Sequence, residues 1–273
     1  MRDWFDTPLG RSLLEQEQRQ CRALVPSGYY PSSLQVGRAA VDFLGGIESG
    51  RRFVVVDQEF IRAGGGDAGA TAAGPPVHRV VAKGAALPFA EKTHNLIVLP
   101  HTLDFCEDAH AVLREVNQIL VPQGCLVITG FNRLSLWGAL RPVMRALARP
   151  PWTGRFRRVG RVQDWLSLLG FDLAGAAMLA YQPPLQSEKW RRKLNFIDAA
   201  GARWWPGLGA VYVIVGRKQE TALTGRGAAR RWRLLPGVAQ PAAHRSAAAL
   251  SEPGRAGRRA RSFCQSPPPP RLS

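Results

Sequence analysis

The sequence predicts an α/β fold: a doubly wound, seven-stranded, mostly parallel sheet with an antiparallel hairpin at one edge. Three observations predict it. Short apolar runs rich in branched residues recur seven times before residue 217, separated mostly by helix-sized or loop-sized segments. Two of those runs, NLIVL (95–99) and LVIT (126–129), are apolar without interruption, as strands buried on both faces of a parallel sheet are. The final run, Val211–Gly216, alternates, and a long segment separates it from the run before, which fits an added antiparallel pair.

Taken in order, the first element is a helix, because Leu9, Leu13, Leu14, Cys21, Leu24 and Val25 fall on one face at helical spacing. Strands follow at SLQVG (33–37), RFVVVD (52–57), VHRVVA (77–82) and NLIVL (95–99). A second helix carries Ala109, Val112, Leu113, Val116, Ile119 and Leu120 on its apolar face and is expected to stop at Pro122–Gly124. The fifth strand is CLVITGF (125–131), the sixth FDLAGAAMLAY (171–181) and the seventh AVYVIVG (210–216), the last two joined through KWRRKLNFIDAAGARWW.

A chain of 273 residues with 45% hydrophobic content can bury one good-sized core. No run reaches the ~18 apolar residues of a membrane span, and MRDWFDTPLG lacks the basic-then-apolar order of a signal peptide. A cytoplasmic protein without a membrane segment, a monomer or weak dimer, is therefore expected. The four cysteines are far apart with no CxxC pair, so reduced thiols are expected rather than a metal site or disulfide framework. Net charge is +17, but from Lys218 to Ser273 eleven Lys/Arg face two Glu. That segment, with RRWR at 230–233 and PPPP at 267–270, lacks the apolar periodicity to build a core. The expected organisation is a domain over 1–217, with a flexible Gly-rich insertion at 62–76, and a basic disordered tail over 218–273 that could hold nucleic acid non-specifically.

Ligands of parallel α/β sheets bind beyond the carboxyl ends of the strands, so those ends are where candidate residues are sought. The fourth strand stops at Leu99-Pro100, because Pro100 has no N–H with which to continue a central ladder. His101 and Thr102 then project from the strand end; His101 reads either as a general base or as a hydrogen-bonded histidine packed between loop and helix. Leu87, Pro88 and Phe89 set two large apolar groups beside a rigid turn, which either encloses a flat ring or caps the core. RPPWTGRFRRVGR (149–161) interleaves arginines with Trp152 and Phe156 and reads as a solvated connector or as a site for an anionic substrate or RNA.

The stretch LPFAEKTHNLIVLPHTLDFCEDAHAVLREVNQILVPQGCLVITGFN, followed by DWLSLLGFDL (164–173), resembles the class I S-adenosylmethionine-dependent methyltransferases, in their small-molecule branch. The resemblance implies the Rossmann-like methyltransferase fold, S-adenosylmethionine as cofactor and methyl transfer to a small-molecule acceptor. It implies that Gly37 belongs to the cofactor loop after the first strand and that Asp57, ending FVVVD, accepts from both ribose hydroxyls; a surface carboxylate is the other reading of Asp57. Cofactor contacts are also expected along Leu87, Pro88, Phe89, Leu99, Pro100 and His101. The sequence departs from the family in having one glycine of that loop, followed by Arg38-Ala39-Ala40, and Lys83 where the family has a carboxylate. Methyl transfer from a sulfonium rests chiefly on alignment, so His101 is the candidate base and Asn132 the residue that orients the acceptor, with Phe131 and Trp137 as walls or as core. The rival expectation is a catalytically silent relative that binds RNA or a protein through its basic surface and tail. A nucleotide-dependent oxidoreductase fits less well with the Leu-Pro-Phe turn and edge hairpin.

Overall fold

The computed structural model describes residues 4–37, 40–57, 76–146, 151–185 and 193–219. The expected insertion at 62–76 lies outside the described residues except for Pro76, and the tail lies outside them beyond Gln219.

Seven strands form one sheet: β1 (Tyr30–Gly37), β2 (Ser49–Asp57), β3 (Val77–Ala82), β4 (His94–Pro100), β5 (Leu120–Phe131), β6 (Phe171–Leu179) and β7 (Val211–Lys218). Their order is β3-β2-β1-β4-β5-β7-β6, with β7 antiparallel to both neighbours and the other pairings parallel. The strand order reverses between β1 and β4, which places the switch point of the sheet beside the carboxyl ends of those two strands.

Each face is covered. On one, Leu34, Val36, Ile97, Leu99, Leu126, Ile128 and Ile214 pack beneath α3 (Ala109–Ile119) and α5 (Val159–Leu168). On the other, Leu96, Val98, Val127, Val213 and Val215 meet α1 (Pro8–Leu24) and an aromatic cluster that includes Trp4, Phe5, Phe131 and Trp137. The continuous apolar character of NLIVL follows, since alternate residues feed opposite cores. Two further helices flank the strand ends, α2 (Thr102–Phe105) after β4 and α4 (Leu136–Arg145) after β5; α6 (Asn195–Trp204) precedes β7. Local chemistry starts these elements: Thr7, Asp108 and Ser135 accept backbone N–H bonds at the first turns of α1, α3 and α4.

Three boundaries differ from those the sequence predicts. The helix expected to run to Pro122 ends at Ile119, and β5 takes up Leu120 at once, with Gln123 in a left-handed conformation at φ 61°. β4 does not leave the sheet at Pro100: the His101 amide still donates to the Thr129 carbonyl at 3.1 Å, and the reversal comes at His101, whose φ is 55°. β7 continues through Lys218, one residue past the expected boundary, and the Lys218 ammonium donates to the Leu120 and Asn117 carbonyls at the end of α3.

The connection between β1 and β2 is a pinned loop, without a helix in residues 40–48. Gln35, buried in the middle of β1, donates to the Val41 carbonyl at 2.7 Å and accepts from the Phe43 amide at 2.9 Å. Asp42 binds Arg52 through both oxygens at 2.6 and 2.8 Å, and Gln18 of α1 donates to the Asp42 carbonyl. Phe43 and Leu44 then fill the space against the sheet that a helix would otherwise cover.

Candidate active site

Three strand ends define the candidate site. Gly37 closes β1 at φ 112°, and its neighbour on β2 is Val56, so Asp57 stands one residue further along the same edge, opposite Ala82 of β3. Pro100 closes β4. A Cβ on Gly37 would lie 2.7 Å from Thr102 Oγ1, which itself donates to the Val36 carbonyl, so the two strand ends meet with no room for a side chain. Gly37, Asp57 and Pro100 are thus gathered at the switch point by the strand register.

His101 lies at the same edge, wholly buried. Its Nδ1 contacts Asp104 Oδ2 at 3.0 Å, and its Nε2 contacts the Glu17 carboxylate of α1 at 3.0 and 3.1 Å. Phe131 packs over the ring with centroids 4.3 Å apart. Burial pushes the imidazole pKa down, but Glu17 and Asp104 outweigh it and raise the pKa to about 9. Asp104 is pushed above the usual carboxylate range by burial, against the bonds it accepts from His101 and the Phe131 amide. With both nitrogens occupied and the ring enclosed, His101 takes the bonded arrangement between loop and helix, and has no free nitrogen to receive an acceptor's proton.

Asn132 is likewise committed. Its amide nitrogen donates to the Gly207 and Gly209 carbonyls at 2.9 and 3.0 Å, and its oxygen accepts from the Leu134 amide. It ties the end of β5 to the turn before β7. Phe131 and Trp137 are buried in the aromatic cluster, with the Trp137 indole donating to the Gln182 carbonyl, which is the core reading of both.

The Leu-Pro-Phe turn divides its side chains. Leu87 is buried in the core, Pro88 is exposed, and half-buried Phe89 meets Phe53 and His94 edge-on at 5.4 and 4.7 Å. The turn is held by Glu115 of α3, whose carboxylate accepts the Leu87 amide at 3.0 Å. Leu99 is fully buried, so only its backbone faces the edge. Lys83 is exposed and opens a tight turn in which the Ala86 amide donates to the Lys83 carbonyl.

Sequence reasoning missed Glu17, Asp104 and Glu115. The signal for Glu17 was present: it falls on the apolar stripe of α1, between Leu14 and Cys21, where a carboxylate must find a buried partner. The strand end at Gly37 fits S-adenosylmethionine, since a residue without a side chain at the end of β1 suits close backbone approach.

A seven-stranded sheet of this order, with an antiparallel seventh strand between the fifth and sixth, is the class I methyltransferase fold. Residues 48–128 match the family model described as a methyltransferase domain. YafS of Escherichia coli K12, an uncharacterized protein, is 37% identical over 156 residues, covering 56% of this chain and 60% of YafS. Rv2003c of Mycobacterium tuberculosis H37Rv, also uncharacterized, is 28% identical over 188 residues, 66% of this chain and 60% of its own length. The chain thus spans about three fifths of these curated relatives. Among solved structures, a SAM-dependent methyltransferase from Thermotoga maritima superposes with a TM-score of 0.54 at 16% identity, covering 77% of this chain and 91% of that one. One from Mesorhizobium loti superposes at 0.52 with 14% identity, covering 75% and 100%. Over residues 48–128 the chain is thus similar to the methyltransferase-domain family, and its sheet has the fold of the S-adenosylmethionine-dependent methyltransferases it superposes on.

Proposed function

We propose that this protein is an S-adenosylmethionine-dependent methyltransferase acting on a small-molecule acceptor. The observation that carries the reading is that the family match, residues 48–128, covers β2 to β5 and so includes Asp57 and Pro100, two of the strand ends at the switch point. When bound, S-adenosylmethionine supplies a methyl group already activated on a sulfonium. The protein's part is then mainly to hold two partners in line, for which a dedicated base is not required. Asp57 accepts the ribose hydroxyls, Gly37 admits the cofactor's methionine portion against backbone, and the strand end at Leu99–Pro100 offers main-chain carbonyls. Glu17, His101 and Asp104 act as positioning residues: they fix the reversal after β4, where the left-handed turn would otherwise be free to relax.

The test is calorimetry of S-adenosylmethionine and S-adenosylhomocysteine on the full chain. Replacing Asp57 with Ala removes an acceptor worth ~1.5–3 kcal/mol per hydrogen bond, so affinity falls at least about tenfold. An unchanged Kd in a variant that still melts cooperatively removes Asp57 from the site. No binding of either ligand to the wild-type chain at millimolar concentration overturns the enzymatic reading.

A further inference from the structure

Beyond the carboxyl end of β5 lies a cleft of about 670 Å³ whose charge the methyl-transfer reading does not use. It is lined by Arg133, Arg155, Arg157, Arg158 and Arg161, against a single carboxylate, Asp164. The fold builds this crowding deliberately at the edge of the sheet. The Arg157 amide donates to the Phe131 carbonyl and the Arg133 amide to the Arg157 carbonyl, while the Arg155 amide donates to the Asp104 main-chain carbonyl. Arg155 and Arg157 are therefore tied to α2 and to the end of β5.

The guanidinium groups of Arg155, Arg157 and Arg161 are held in place without being neutralised. Arg157 Nε donates to the Leu103 carbonyl at 2.9 Å and Arg155 to the Glu107 carbonyl, both uncharged acceptors. Arg157 and Arg161 lie over the Trp165 ring at 5.3 and 5.7 Å. Among the described residues none of the five forms an ion pair. Five like charges gathered in one concavity cost energy in the empty protein and are relieved by an anion, for which planar guanidinium forks are suited. Nearby Arg141, stacked over Phe156, is driven below its usual pKa by burial and then by Arg145 and Arg133, a further sign of that crowding.

We propose that this cleft binds a small molecule bearing at least two phosphoryl or carboxylate groups. Resting on the methyl-transfer reading, that molecule is the acceptor or carries it. RNA is disfavoured, because single-strand binding needs exposed aromatic platforms and the aromatics of this segment, Trp152 and Phe156, are 7% and 6% exposed.

The experiment is calorimetric titration of the full chain with inorganic pyrophosphate and, separately, citrate, which distinguishes phosphoryl from carboxylate ligands. One of the two is expected to bind with one-to-one stoichiometry. The double variant R133A/R158A should weaken it at least tenfold, while R230A/R231A in the tail should not change it. Arg161→Gln serves if the double variant melts early. Absence of saturable binding at millimolar concentration overturns the proposal, as does equal weakening by the tail variant. Arginine-dependent binding of a single-stranded oligonucleotide without binding of either small anion also overturns it, in favour of a nucleic-acid surface. S-adenosylmethionine affinity is measured on the same proteins. If the anion binds and the cofactor does not, the cleft stands and the methyl-transfer reading falls; the reverse removes the cleft alone.

Discussion

His101 shows how a residue can stand in the right place for chemistry and be used for something else. A histidine directly after a strand's carboxyl end has the address of a general base, and sequence spacing can give no more than the address. What it did not show is Glu17, 84 residues away, whose carboxylate takes the second ring nitrogen. His94 is the counterpart: buried against Phe53 and Phe89, it is pushed down to about 4 by burial and then by Arg51. The two histidines bias stability in opposite windows. The folded state takes up a proton on His101 that the unfolded chain lacks between about 6.5 and 9, so this contribution is full below 6.5 and is lost as pH rises through about 9. Conversely, the unfolded chain protonates His94 between 6.5 and about 4 while the folded one does not, so stability falls as pH drops through that window. Urea unfolding from pH 5 to 9 should show a maximum near pH 6.5, with flanks of at most ~1.4 kcal/mol per pH unit. A level profile above 6.5 would mean that the buried imidazole carries no extra proton.

At the scale of elements, all seven strands were legible because their branched, apolar runs are bounded by turns and charges, and α1 and α3 because their apolar stripes are regular. α6 was not, since NFIDAAGARW reads as part of a connector and presents exposed Phe196 and Trp204. Nor could the sequence show what replaces a helix after β1. The answer lies in Gln35, a polar residue in an otherwise buried strand whose side chain does the tethering. Gln35→Leu keeps the volume but leaves the buried Phe43 amide without that acceptor, which should cost ~1–3 kcal/mol in urea unfolding. A loss below a few tenths would show that the loop is held by Asp42 and Arg52 instead. Glu115 makes the same point for the Leu-Pro-Phe turn: the Leu-Arg-Glu of α3 was visible as a pattern, its bond to the Leu87 amide only as geometry.

For the molecule as a whole, the fold and the likeness to a methyltransferase domain were readable from the order of elements, while the placement of the candidate residues was readable only where backbone position decides it. Gly37, Asp57 and Pro100 meet because strand register brings any residues at those positions together. Asn132 and Leu87 needed the third dimension, because their side chains could equally have turned toward a ligand or into the protein. The arginine cleft was half legible: RFRR marked the charge, but its union with Arg133 depends on Arg157 bonding to Phe131 and Arg133 at the end of β5.

The position of β7 also bears on how the chain is made. Last of the described strands in sequence, it lies between β5 and β6, bonded to both through Val211–Arg217. Until it has emerged from the ribosome, β5 presents a long apolar edge with unpaired N–H and C=O groups, an invitation to pair with another chain. A chain stopped at residue 205 should accordingly collect in the pellet on expression, while one ending at residue 219 remains in the supernatant. Equal solubility of the two would mean that the nascent sheet guards its own edge before its final strand arrives.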